Sequence, residues 1–263
     1  VATYRNNNHA INGIGGHGAG STTSQGIYEE SSTPKHAIGE KIELSDGRVF
    51  RYGYTAAAIN AAELVAQDAS TTCLAETDNI VIAASGRFSP AAGSSALQIT
   101  LASISANDYA GGLLHISNDG GDGIGEGIQY RIKSNSATGA TTSGKVDIDL
   151  YDPIKVALTT ASDIAITGGL WYNVKAAEAA DCIVSGVTPI AFTANYYGWL
   201  QTAGIALISS DGAIALGSNV TMSDSDAGHV QLKDAETEPL VGCVTFASDD
   251  NGHAGVLLQG LVA

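Results

Sequence analysis

The sequence predicts an all-β protein, a small sandwich or barrel. Short runs of alternating apolar and polar residues are separated by Gly, Ser, Asn and Pro clusters at intervals of about 8 to 12 residues, the spacing of strands joined by turns. No alternation of strand and helix patterns runs along the chain, which argues against a doubly wound parallel sheet. Aromatic residues make up only 6% and charged residues only 15% of the 263 positions, so the core must be assembled from many small side chains. Small residues favour closely apposed strands and packing between subunits.

Residues 1–35 hold Asn6, Asn7, Asn8, several glycines and a Ser/Thr-rich run, with too little periodic apolar content to bury. An extended N-terminal arm is expected there, mobile in isolation and ordered against a neighbour. Past Pro34, Ile42 and Leu44, then Ser45-Asp46-Gly47-Arg48, then Val49, Phe50, Tyr52 and Tyr54 predict a hairpin turning at Asp46-Gly47. Residues 55–66 read as a loop and a short strand, or else as one helical turn. Strands are expected over 80–84, 96–101, 113–117, 128–133, 146–150 and 154–158, with a brief helical turn over 106–110 capped by Ser105.

The pair 113–117 and 128–133 reads as a hairpin, because Leu113, His115 and Ser117 alternate with Leu114 and Ile116, and Ile128, Tyr130 and Ile132 alternate with Gln129, Arg131 and Lys133. Its connection, 118–127, is rich in glycine and carboxylate, which permits positive φ and keeps the loop in water. Beyond Asp163, strands are expected over 164–166, at Val174, and over 182–184, 189–193, 197–201, 206–208, 213–216, 230–232, 241–246 and 256–262. Asp211-Gly212 signals a further hairpin turn. The last of these strands is apolar on both faces, as a central strand is.

Charge narrows the function. The net charge of −15, from 27 acidic and 12 basic side chains, argues against a nucleic-acid partner, because such affinity rests on Lys and Arg neutralising phosphates. No run of about 18 apolar residues is present, so no membrane-spanning helix is expected, and the first residues lack an apolar signal core. Cys73, Cys182 and Cys243 are widely spaced and lack a CxxC zinc pattern, so they read as small buried hydrophobes, or as one bridge plus a free thiol.

Candidate sites are weak. Residues 13–18 spell GxGxxG, but no strand precedes them and no helix former follows, so the context for a dinucleotide is missing. Asp119, Asp122 and Glu126 in the glycine-rich turn are the best metal candidates, since a hard cation wants several oxygen ligands on a pliable loop. Their spacing matches no EF-hand, and a solvated turn is the favoured reading; Asp224 and Asp226 are weaker still. The histidines, His9, His17, His36, His115, His229 and His253, show no HExxH spacing, and no GxSxG elbow marks a nucleophile. No catalytic residue and no cofactor are therefore expected. An alternative is a receptor- or glycan-binding tail module, with or without a two-carboxylate hydrolase site, for which Trp171, Trp199, Tyr196 and Tyr197 are the available aromatic platforms.

Three motifs carry a resemblance: NDYAGGLLHI with Asn107, Tyr109, Gly111 and Gly112; GEGIQYRIKSN with Gly125, Glu126, Gly127, Tyr130, Arg131, Ile132 and Lys133; and LYDPIKVAL with Leu150, Tyr151, Asp152, Pro153 and Val156. In these the chain, from about His36 onward, resembles a family of tailed-phage virion structural proteins. The resemblance implies a β-barrel domain made of residues 36–71 with 179–263, and an inserted β domain of residues 72–178. It further implies a non-enzymatic capsid decoration (cement) protein on the outer surface of the phage head, with the major capsid protein as partner. A homo-oligomer is expected, and a trimer would match the local threefold of a shell.

Overall fold

The structure, a computed structural model, describes residues 25–67, 77–82, 90–118, 125–140, 143–160, 162–178, 183–249 and 252–259. It is all-β, with sixteen strands in two sheets and no helix among the described residues.

The first hairpin forms as expected. β1 (Lys41–Glu43) pairs antiparallel with β2 (Val49–Thr55), and Gly47 turns the chain at φ 84°, a conformation that suits a residue without Cβ. β2 then pairs along its length with the first half of β12 (Tyr196–Ser209), Tyr52 opposite Trp199 and Phe50 opposite Gln201. The first hairpin thus pairs with a strand from the C-terminal part of the chain. β3 (Leu64–Gln67), β10 (Val174–Ala176) and β11 (Val184–Val187) complete a ring in the order β2, β10, β3, β11, β12 and back to β2, a closed barrel of five strands.

Two runs read as separate strands, 197–201 and 206–208, are one bent strand. A bulge between Gln201 and Ala203 and a left-handed Gly204 (φ 82°) turn β12 out of the barrel, and a Cβ at Gly204 would stand 3.0 Å from the Arg48 backbone. Its second half pairs with β16 (His253–Leu258), which begins a wing continuing through β15 (Gly242–Phe246), β13 (Asn219–Met222) and β14 (Val230–Leu232). Asp211-Gly212 turns the chain without making a hairpin: residues 213–216 form only an isolated bridge at Ile214 with Ser248, because the partners of β12 are already β2 and β16. Residues 189–193 likewise hold one bridge, Phe192 with Ile59.

Between β3 and β10 lies the insert, a six-stranded sheet in the order β4 (Thr77–Val81), β9 (Asp163–Thr167), β6 (Leu113–Asn118), β7 (Gln129–Asn135), β8 (Lys145–Leu150) and β5 (Ala96–Thr100). It has its own hydrophobic core, including Ile80, Leu97, Tyr109, Leu114, Ile132, Ile148 and Ile166, with no barrel residue in it. The hairpin of β6 and β7 is as predicted, Leu114 opposite Tyr130. Val174–Ala176, expected within the insert, instead belongs to the barrel as β10. Residues 154–158 form no strand, yet Ile154 and Leu158 are buried in the insert core. Residues 106–110 form consecutive turns instead of a helical one, since Asn107 takes φ 68°.

The three motifs lie at the seam of this architecture. Asn135 Oδ1 accepts from the Tyr109 N–H at 2.9 Å, pinning the turn before β6 to the end of β7. Gly112 and Gly169 let two turns touch backbone to backbone: a Cβ on Gly112 would lie 2.2 Å from the Thr167 carbonyl oxygen, and one on Gly169 2.4 Å from that of Ala110. Arg131, its guanidinium over the Tyr151 ring at 4.8 Å, donates to the Ile38 carbonyl and so links insert to barrel.

Candidate interaction surface

Two surfaces of the barrel decide what it can do. On β2 and β12, Phe50, Tyr52 and Trp199 point outward from the barrel, and chain segment 25–44 covers them with Ile27, Ile38, Ile42 and Leu44. The end of the expected arm is thus fastened to its own body. The Gln25 carbonyl accepts from Trp199 Nε1–H at 3.0 Å, and the Gln25 side chain accepts from Tyr52 O–H at 2.7 Å and donates to the Tyr197 carbonyl at 2.9 Å. Ser31 bridges to Tyr197, and the Glu30 carboxylate accepts from Thr193. Burial pushes the Tyr52 phenol up to about 12, against the opposing effect of the Lys35 N–H that donates to it. Residues 1–24 lie outside the described residues.

The outer face of the wing is covered by no described residue. Across it run Ile205 of β12, Leu257 of β16, Cys243 of β15 and Asn219 of β13 in one row, and Leu207, Gly255 and Phe246 in the next. Ile205 is 57% exposed, Leu207 54%, Leu257 39% and Phe246 63%, while their neighbours Ala206, Ile208, Val244 and Val256 on the opposite face are buried. Single exposed leucines mean little, but a contiguous strip across three interior strands marks a contact surface. β16 lies between β12 and β15, the central place that the apolar run over 256–262 predicts, yet one of its faces carries Leu257 to solvent. Cys243, expected to be buried, is a half-exposed free thiol in this strip; Cys73 and Cys182 lie outside the described residues.

Of the sequence-predicted metal ligands Asp119, Asp122 and Glu126, only Glu126 lies among the described residues. Asp119 and Asp122 fall outside the described residues, as do residues 13–18, His9 and His17, and Glu126 sits exposed between two glycines. Among the described residues no group of three or more His, Cys, Asp or Glu side chains comes together as metal ligands do. Asp224 accepts from the Gln231 amide at 3.0 Å, and Asp226 faces the His229 ring at 3.9 Å. One Ser/His/Asp trio does share a corner, Ser223, His229 and Asp211, but its wiring is structural. Ser223 Oγ donates to Asp211 at 2.6 Å and accepts from the N–H groups of Ser225 and Asp226, so no imidazole is placed to take its proton. His115 bonds Thr167 across neighbouring strands, and His36 packs on Tyr52 and Trp199.

Of the aromatic platforms, Trp199 is wholly buried. Tyr54, Tyr172 and Tyr197 form a half-buried stack, Tyr54 lying 4.8 Å from Tyr172 and 4.7 Å from Tyr197, with its O–H donating to Asn195. What the fold defines is an all-β scaffold of barrel, wing and insert that presents an apolar contact strip. In comparisons with protein families, curated proteins and solved structures, nothing matches the chain.

Proposed function

We propose that this chain is a phage virion structural protein, a cement protein that binds the outside of the head shell and joins neighbouring copies of the major capsid protein. The observation that carries this reading is the uncharged apolar strip on the outer face of β12, β16 and β15, a surface that calls for another protein. The motif resemblance supplies the setting. The mechanism is mechanical: two β bodies with separate cores, clasped at the seam by the hydrogen bond that Arg131 donates to the Ile38 carbonyl, form a stiff block. Spread over a junction between capsomers, such a block resists separation by the apolar area it buries, roughly 25 cal/mol per Å². Mass spectrometry of purified particles separated into heads and tails is expected to find the chain in heads, at a copy number in proportion to the capsid protein. Recovery in tails alone would overturn the reading.

A second reading, a glycan-binding tail module, is favoured by one feature, the half-buried stack of Tyr54, Tyr172 and Tyr197 beside Asn195. Its test is binding of host surface polysaccharide by the wild type and by Tyr172→Ala. Saturable binding that the substitution weakens about tenfold or more would favour it over the shell.

A further inference from the structure

We infer that Arg51 of the barrel and Arg131 of the insert together form an oxyanion site at the seam between the two bodies, and that it takes a small carboxylate. The site is separate from the apolar strip and does not depend on the cement-protein reading.

The fold brings the two guanidiniums to one corner. Arg51 lies in β2 and Arg131 in β7, and both reach the same turn of segment 25–44, where they hold successive carbonyls. Arg51 Nη1 donates to Gly39 at 3.0 Å, and Arg131 Nη2 donates to Ile38. Gly39 takes φ 76°, and a Cβ there would stand 2.8 Å from the Trp171 ring and 3.4 Å from Arg131 Nη2, so only glycine lets these groups close in. Each guanidinium lies over an aromatic ring, Arg51 at 4.9 Å from the Trp171 centroid and Arg131 at 4.8 Å from that of Tyr151. Trp171 is fixed in turn, its Nε1–H donating to the Ser185 carbonyl at 3.1 Å.

Two like charges held this close repel unless a negative charge lies between them. Burial lowers the Arg51 pKa, and the charge of Arg131 lowers it further. Carboxylates are in surplus, 27 acidic side chains against 12 basic ones, and Lys41, Arg48 and Lys175 take Glu43, Asp46 and Glu178 as partners. Arg131 takes none among the described residues, and the one hydrogen bond of its guanidinium goes to Ile38. Glu40, the residue after Gly39, turns its carboxylate to the His36 ring and the Ala37 N–H instead. The half-buried Arg131 guanidinium therefore keeps charged N–H groups for a ligand.

A carboxylate fits this corner best. Its two oxygens match the fork of a guanidinium, and between two guanidiniums it replaces repulsion with two charge-assisted contacts. Its single charge is the least opposed by the net charge of −15, which holds off phosphate and other multiply charged anions more strongly. Tyr151, 43% exposed beside Arg131, gives an apolar wall to the carbon end of a small acid. Because one arginine belongs to each body, a bound carboxylate pins barrel to insert.

The test is a titration of the purified full chain with sodium acetate against sodium chloride at equal ionic strength. Acetate is expected to raise the melting temperature along a saturating curve, by about 2–4 °C once the site is largely filled, and chloride to leave it in place. Sodium phosphate is expected to raise it less than acetate does. Followed by NMR of the arginine Nε–H groups, acetate is expected to shift the signals of Arg51 and Arg131 and to leave that of Arg48, already paired with Asp46. In Arg131→Gln the dissociation constant for acetate is expected to rise about tenfold or more. Should Arg131→Gln fail to fold, Arg131→Lys serves instead, keeping the charge but not the fork, with an expected rise of about tenfold. Acetate that acts no more than chloride, or as strongly on the Arg131 variant, overturns the inference. So does a shift of Arg48 as large as those of Arg51 and Arg131, or phosphate that stabilises more than acetate. Recovery of the chain in tails alone would sink the cement reading and leave this one standing.

Discussion

Gly112 is where a single missing side chain holds two parts of the insert together. Its absent Cβ would sit 2.2 Å from the Thr167 carbonyl oxygen, an atom of backbone that cannot swing aside. Gly112→Ala is expected to lower stability by about 1–3 kcal/mol, measured by urea unfolding, since the turn must be levered off residues 167–169. Tyr52 gives a pH signature. Because burial holds its phenol at about 12 in the folded chain, above the ordinary value of about 10, folding stabilises the protonated form. That contribution is complete below about pH 10 and is lost as the pH climbs towards 12. Tyr54 and Tyr197, also raised by burial, add to the same trend. The melting temperature should therefore fall over this window, and fall less steeply in Tyr52→Phe. At neutral pH that variant should be less stable by about 1–2 kcal/mol, because Gln25 loses the phenol it accepts from.

At the scale of elements, segment 25–44 behaves as a strap. It shields Phe50, Tyr52 and Trp199 from water and caps the Trp199 N–H, so removing it uncovers three large aromatic side chains. Deleting residues 1–24 should leave the melting temperature within a few degrees of wild type. Deleting residues 1–33, which takes Gln25, Ile27 and the Ser31 bridge as well, should lower it clearly, by the equivalent of about 2–4 kcal/mol. Equal stability of the two truncations would show that the strap contributes nothing. Strand β12 is the other element with a double role. The bend at Gly204 lets one strand close the barrel with β2 and open the wing with β16.

For the whole molecule, the pairing of β3 with β10 sets where the insert can be removed. Gln67 stands directly opposite Val174, so the chain leaves the barrel and returns to it at neighbouring positions. Replacing residues 70–168 with a Gly/Ser linker of about ten residues should preserve a folded barrel and wing, because the insert core is separate from theirs. Extending the excision past Val174 should not, because it removes β10 and opens the ring. Near-ultraviolet circular dichroism from buried Trp199 would tell the two apart. A chain ending before Val184 should leave the Ile42 to Tyr54 hairpin unprotected in hydrogen exchange, since β12 is its main partner.

The sequence by itself determined the strand class, the turn at Asp46-Gly47, the hairpin of β6 and β7, and the fact that the first hairpin must borrow strands from elsewhere in the chain. These follow from local rules: period-two alternation, the backbone freedom of a glycine turn, and the need of Phe50 and Tyr52 for cover; that the borrowed strands are the C-terminal ones is what the motif resemblance implies. It did not determine which apolar faces are covered. Phe50, Tyr52 and Trp199 look alike in sequence to Ile205, Leu207 and Leu257, yet the first set lies under the strap and the second faces solvent. Only the tertiary structure decided this, because cover depends on where distant segments come to rest. The path of the strap, the bend of β12 and the capture of β10 by the barrel are all long-range, and alternation within a strand carries no record of what lies across from it.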